Sequence, residues 1–364
     1  MDFSKITTIE AIMMIITIVV PYTVITLPKT LVNEMSSGII INIIFVTILA
    51  LIFTNLICNL FKKFPGSDIL DIAYFLGGKS FKKIVGFIFI FYFIISSSII
   101  LRNFSEGLKT VYYPYTHVVF IVLMFILSLA FVNKLKFNST LKATSLVLPF
   151  VFVSILFLFF GNLKNFRTGN LYPVIGEGLY NTFLVGMKNI GIFGGISYIY
   201  FLPPLLKNPN NFKKISLVSI LMSGLFILTC VTIILFIFSS LKDSNDIMPL
   251  FTVCRYIEFS IFFQRFESLI LLIWTISFCC YLSIACKIAT SVFVKINNLS
   301  DNNCLTYIFD ILIFGVAMFP KTYAISIFFE NNIYRYLRIL FALLFGILIL
   351  IFANKKKKTF KETG

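Results

Sequence analysis

Two residues able to form a charge pair stand four apart in Leu101-Arg102-Asn103-Phe104-Ser105-Glu106-Gly107-Leu108, directly after Ser96-Ser97-Ser98. On one helix they are i, i+4 neighbours, so guanidinium and carboxylate can meet. A charge at the centre of an apolar segment costs from ~2.5 to more than ~10 kcal/mol. Two settings therefore fit: a buried pair beside a ligand, or a pair at the helix end whose long side chains snorkel to the interface. Other chemistry lacks its residues. The seven cysteines, Cys58, Cys230, Cys254, Cys279, Cys280, Cys286 and Cys304, contain no CxxC spacing and fall in or near apolar runs, where cysteine acts as a small hydrophobe. The one histidine, His117, opens an apolar run after Tyr113-Pro114-Tyr115-Thr116 and reads as an interfacial residue. There is no HExxH, no GxSxG and no paired intramembrane aspartate, so neither an enzyme nor a metal or other cofactor is expected.

Backbone interruptions are the second signal. One apolar run reads Thr17-Ile18-Val19-Val20-Pro21-Tyr22-Thr23-Val24-Ile25-Thr26-Leu27-Pro28. Another reads Gly186-Met187-Lys188-Asn189-Ile190-Gly191-Ile192-Phe193-Gly194-Gly195-Ile196-Ser197-Tyr198 and closes on Phe201-Leu202-Pro203-Pro204. Lipid offers no water to a freed backbone group, so such breaks persist only where protein or an aqueous cavity serves them. Interrupted segments at matching places in two halves of a chain point to a midplane site. The same residues also fit a proline kink in one helix and a glycine packing face in the other.

These residues need elements to hold them, and the composition says which. The 364 residues are 59% hydrophobic and 13% charged, with mean hydropathy +0.98, far from the ~25% charge of soluble domains. The apolar residues come in blocks long enough for ~20-residue helical spans and lack the alternation of barrel strands. Ten runs qualify: Ile9 to Leu27, Ile39 to Phe61, Ile84 to Leu101, Val118 to Val132, Ser145 to Phe160, Leu179 to Leu202, Ile215 to Leu241, Leu269 to Val294, Tyr307 to Phe319 and Tyr334 to Ala353. The N-terminal run is no signal peptide, because Pro21 interrupts it and no small-residue cleavage site follows. The expected fold is an all-α integral membrane protein of ten transmembrane helices in a five-plus-five inverted repeat, with spans one and six broken. It forms a single transmembrane domain: 1–160 the first repeat, 161–353 the second, and 354–364 a basic cytoplasmic tail.

Taking the loops alternately, one side carries 19 of the 31 basic residues, while the other carries eight of the 15 acids, including Glu34, Glu106, Glu267 and Glu330. Positive charge marks the cytoplasmic side, which places both termini there. The net charge of +16 is scattered over short loops, so nucleic acid is not an expected partner. Glu267 suits a helix N-terminus, Trp274 an aromatic belt, and Lys287 either snorkels toward the cytoplasm or fills a cation position.

In these residues the chain resembles the B-subunit permeases of bacterial endospore germinant receptors, of the amino acid/polyamine/organocation transporter superfamily. The resembling stretches are Leu27-Pro28, Phe64-Pro65 with Asp71, Arg102 to Glu106, Gly176-Glu177-Gly178, Gly191 to Phe201 with the following prolines, Met248-Pro249-Leu250, and Arg265-Phe266-Glu267 followed by Trp274. The resemblance implies a small germinant, commonly an amino acid, held among spans one, three, six and eight in the inner membrane of the spore. Its implied partners are an A subunit and a C-subunit lipoprotein. Carried over by position, Glu106 matches an acidic place in span three, Gly191 to Gly195 the unwound part of span six, and Ser283 a pocket position on span eight. The expected ligand-binding set is Pro21, Tyr22, Thr23, Arg102, Glu106, Gly191, Gly194, Gly195, Tyr198 and Ser283. Relatives place glycines in the span-one break where this chain has Pro21 and Thr23, and proline has no amide to offer an anionic group. The competing expectation is a secondary transporter of an amino acid or amine on the same fold.

Overall fold

A computed structural model describes residues 5–25, 27–238, 248–257, 266–299 and 303–362, and the backbone alone at 22–25, 27–29, 266, 303 and 358–362. Among these residues helices account for the regular structure, and a single isolated bridge joins Ile6 to Leu206. Among the described residues six helices are long and apolar enough to cross a membrane: Thr30–Phe61, Ile69–Tyr112, Phe137–Gly161, Pro209–Ile237, Glu267–Asn297 and Tyr323–Lys357. Three shorter apolar helices cover Thr8–Pro21, Val118–Asn133 and Cys304–Ala317. The outward stripe Phe120, Met124, Leu127 and Phe131, each more than half exposed, recurs at helical spacing while Val122 and Leu129 on the other face are buried. That is how a helix between lipid and protein is patterned.

In chain order the helices are α1 (Thr8–Ile25), α2 (Leu27–Met35), α3 (Ile39–Phe61), α4 (Ile69–Tyr112), α5 (Val118–Asn133) and α6 (Phe137–Gly161). There follow α7 (Ile196–Ile199), α8 (Phe212–Ile237), α9 (Pro249–Arg255), α10 (Phe266–Asn297) and α11 (Asn303–Ala317). The last rod is built of α12 (Tyr323–Phe329), α13 (Arg335–Ile339) and α14 (Gly346–Glu362), joined by wide π turns at Glu330–Tyr334 and Leu340–Phe345. α1 packs on α6, α8 and α10, and α4 packs on α10, α11 and α14.

Three boundaries differ from the sequence expectation for identifiable reasons. α1 does not break at Pro21 but runs on to Ile25. The proline deprives only the Thr17 carbonyl of its partner, and α1, packed on three helices, stays helical past it. α4 is twice as long as the apolar run within it. It starts at a capping box, in which Asp68 accepts from Leu70 N and Asp71 N at 3.0 Å. It then turns at Gly77 and Gly78, where φ of +70° at Gly78 suits only a residue without Cβ. Burial pushes the Asp68 carboxyl above its ordinary range, against the pull of Lys295 at 2.7 Å. The expected loop between Phe319 and Tyr334 is mostly helix, because Thr322 caps α12 by accepting from Ile325 N.

Both ends of the described chain lie at one end of the bundle. Ile6 N donates to Leu205 O at 2.8 Å, Phe61 packs on Tyr200 and Phe212, and Lys356 Nζ donates to Phe75 O and Leu76 O at 3.0 Å.

Candidate functional site

Residues 180–199 form no regular helix. A π turn over Tyr180–Leu184 leads into 3-10 turns over Val185–Phe193, and only Ile196–Ile199 is α-helical. Irregular backbone at this depth must be served by protein, and it is. Asn189 Nδ2 donates to Asn42 Oδ1 at 2.8 Å, and Asn42 Nδ2 to Thr182 O at 2.8 Å. The Tyr92 hydroxyl donates to Gly194 O at 3.2 Å, Ser197 Oγ to the same carbonyl at 2.7 Å, and Arg338 Nη2 to Ile192 O at 3.5 Å.

Arg338 is 2% exposed, with its guanidinium carbon 5.1 Å from the Tyr334 ring centroid. Tyr198 stacks on Phe93 at 4.3 Å, and Tyr92, Tyr281 and Tyr334 lie near its hydroxyl. Tyr334 and Ser96 are hydrogen-bonded, and Tyr281 lies against Ser96 and Ser97. Ser97 Oγ and the hydroxyls of Tyr198 and Tyr281 are buried yet find no hydrogen-bond partner among the described residues. Each such group costs about 1–3 kcal/mol while unpaired. Around the break there are thus backbone carbonyls, the Arg338 guanidinium and three unpaired hydroxyls, while the neighbouring Arg335 is paired with Glu34.

This cluster is the lower part of a polar seam between α4 and the last rod. Tyr323, Ser326, Glu330, Tyr334 and Arg338 share one face, spaced three, four, four and four apart. Opposite them on α4 stand Tyr92, Ser96, Asn103 and Glu106. Asn103 Nδ2 donates to Glu330, and Ser326 Oγ donates to Asn103 Oδ1 at 2.6 Å. Arg102 and Glu106 do pair: Nε and Nη2 reach Oε1 at 3.0 and 2.8 Å, with both residues buried. Yet Glu106 lies fourteen residues beyond Tyr92, about 21 Å farther along the axis, where it lines an open cavity at the end of the bundle away from the termini.

The remaining expected residues distribute as follows. Gly191, Gly194, Gly195 and Tyr198 all belong to the break. Gly195 backs onto Ile18 and Val19 of α1. Pro21 instead borders a cavity of about 20 Å³ with Phe104, Trp274, Ser277 and Phe278, room for one water. The side chains of Tyr22 and Thr23, and all of Arg265, lie outside the described residues. Ser283 sits two residues past Tyr281, on the opposite face of α10, and its Oγ donates to Asn133 Oδ1 at 2.8 Å.

There it joins a separate buried group. Asn133 Nδ2 donates to both Asp310 oxygens at 2.9 and 3.1 Å, and Lys287 Nζ to Leu135 O at 2.8 Å and Thr140 Oγ1 at 2.6 Å. Lys287 does not snorkel, because the carbonyls of Val132 at the end of α5 and of Leu135 just past it accept its ammonium. Trp274 is no belt residue either: it faces inward, with Nε1 donating to Ser154 Oγ at 2.9 Å.

The sequence reading missed Arg338, Tyr92, Tyr281, Tyr334 and Glu330. The signal available was polar residues recurring at three and four through an apolar helix.

The close approach at Gly194 gives a direct test. A Cβ there would lie 2.5 Å from Arg338 Nε and 3.0 Å from the Tyr92 hydroxyl. Gly194→Leu is expected to drive both away and abolish binding of labelled ligand to a chain that still inserts. Undiminished binding would place the pocket elsewhere.

An apolar helical bundle with long membrane-crossing helices and a polar interior is that of a multi-pass membrane protein. The spore germination protein model of the spore permeases matches residues 5–326, and the chain belongs to that family. Among its relatives in Bacillus subtilis (strain 168), spore germination protein A2 is 28% identical over 291 residues, 78% of either chain. Spore germination protein YndE is 24% identical over 279 residues, 74% of this chain and 75% of the relative. Spore germination protein B2 is 22% identical over 321 residues, 87% of both.

Proposed function

We propose that this chain is the transporter-like membrane subunit of a spore germinant receptor, and that a small germinant, an amino acid, binds at the break over Gly191–Gly195. The observation that carries this reading is the set of unpaired hydroxyls on Ser97, Tyr198 and Tyr281 beside the carbonyls of that break. An amino acid needs acceptors for its ammonium and donors for its carboxylate. The Ile192 and Gly194 carbonyls, which accept from Arg338, Tyr92 and Ser197 in this structure, supply the first when those donors turn to the carboxylate, and Arg338 with the hydroxyls supplies the second. Membership of the spore germination protein family agrees with this use of the site.

In this reading ten spans form two five-helix repeats over 1–160 and 161–353, the three shorter apolar helices and the irregular segment counting as spans beside the six long ones. The lysine-rich end holding both termini faces the cytoplasm, with 354–364 as a basic tail, and the chain resides in the inner membrane of the spore. An A subunit and a C-subunit lipoprotein are its partners. A germinant acts by binding one of two states more tightly, and it shifts their balance by no more than that difference.

Tyr198→Phe combined with Tyr281→Phe removes two of the hydroxyls with little change in shape. Spores carrying the double variant are expected to need at least about fivefold more germinant, each lost bond being worth ~0.5–1.5 kcal/mol. The dose response is read beside an immunoblot of the chain. An unchanged curve would remove the site, and uptake of labelled amino acid into vesicles against its gradient would reassign the chain as a secondary transporter.

A further inference from the structure

The cavity at the end of the bundle away from the termini has a volume of about 540 Å³ and lies between the far end of α4, the start of α5 and the loop before α12. Arg102, Glu106, Lys109, His117 and Lys321 line it. Its one carboxylate is already engaged, since Glu106 Oε1 accepts from both Nε and Nη2 of the buried Arg102. The third guanidinium nitrogen, Nη1, reaches only Ala317 O at 3.4 Å and the Met318 sulfur at 3.9 Å. Neither Lys109 nor Lys321 forms a salt bridge among the described residues. Val118 and Val119, the first residues of α5, also border the space, and His117 at the N-cap makes no side-chain capping bond to them. The first N–H groups of a helix, with its positive dipole end, favour an anion.

Two lysines left without a carboxylate around one concave space raise its potential and draw anions into it. A cation would meet that charge beside a single carboxylate that is already paired with Arg102. An uncharged apolar ligand would leave the amino groups and the helix N–H groups unserved.

We propose that this cavity binds the phosphate or carboxylate group of a small anion, held by Lys109, Lys321 and the N-terminus of α5, with the Arg102–Glu106 pair as its floor. The site is separate from the break over Gly191–Gly195 and does not depend on what binds there. A free solute and a lipid headgroup bring the same chemistry, and the experiment tells them apart.

The full chain is reconstituted into nanodiscs of zwitterionic lipid, and its thermal unfolding is followed while inorganic phosphate replaces chloride at constant ionic strength. Phosphate is expected to raise the midpoint saturably, and Lys109→Gln with Lys321→Gln to weaken its apparent affinity by about tenfold or more. Lys164→Gln, remote from the cavity, is the control and should behave as the unaltered chain. The titration is repeated in discs containing phosphatidylglycerol. A shift that persists there identifies a free solute as the occupant; a shift abolished there, but regained by no variant, identifies the headgroup. Phosphate acting no differently from chloride, or acting equally on the double variant, overturns the proposal. Because both lysines reach the surface of the cavity, their replacement leaves the packed core untouched. Circular dichroism and the unfolding midpoint in chloride verify this.

Discussion

Spores carrying Arg338→Met are expected to respond only to about a hundredfold more germinant, with the chain present at its usual level in the membrane. The guanidinium donates to Ile192 O, covers the Tyr334 ring and lies against Gly194. It is therefore part of the wall of the break and a positive charge in direct contact with it. A hydrogen bond to a charged group contributes ~1.5–3 kcal/mol, so losing two in the bound state is a factor of about a hundred or more. Methionine fills much of the volume and brings no donor, so the loss falls on recognition. Arg338→Lys keeps the charge but loses the planar fork, and it should fall between the two. The measurement is a germination dose response normalised to immunoblotted chain. A Met variant as sensitive as the unaltered chain would exclude Arg338 from recognition.

The second large effect is on stability. Lys287→Met is expected to lower the stability of the purified chain by about 3–5 kcal/mol, the range seen when one partner of a buried charged group is removed. The Leu135 carbonyl just past α5 and the Thr140 hydroxyl lose their donor, and Asp310, close enough to feel the ammonium's charge, is left as the one charge in the group. Asp310→Asn made in the same chain should restore at least half of the loss, since a neutral group needs no counter-charge. Thermal unfolding of the two single variants and the double variant forms a cycle whose coupling term reads this directly. Additive losses would show that Lys287 and Asp310 stabilise their surroundings independently.

What could be read from the residues was governed by how each signal is encoded. The irregular backbone over Gly191–Gly195 is written locally, in glycines that no regular apolar helix needs, and so it was legible. The Arg102–Glu106 pair was legible too, because i, i+4 spacing is a property of one helix. Its location was not, since nothing in the sequence says how far α4 continues past Leu101 or what closes over it. Pro21 misled for a related reason: proline removes one hydrogen bond, and whether a helix bends there is decided by the helices packed around it. Arg338 was hidden because a charge near the start of an apolar run reads as interfacial. Only the helical continuation upstream through Ser326 and Glu330 puts it deep inside. Ser283 was placed on the right helix, but two residues are enough to turn a side chain to the opposite face.

The wide turn at Glu330–Tyr334 bears on how this chain can change over time. On an ideal α-helix, side chains spaced four apart drift by about 40° per step, and the polar face from Tyr323 to Arg338 takes three such steps. The π turn absorbs part of that drift, so the face stays in phase with α4. Deleting one residue from the α-helical stretch of α12 ahead of it would rotate everything downstream by about 100°, carrying Tyr334 and Arg338 out of register with Ser96 and Tyr92. The rod can therefore accept many exchanges of one side chain for another, yet few changes in its length between Tyr323 and Arg338.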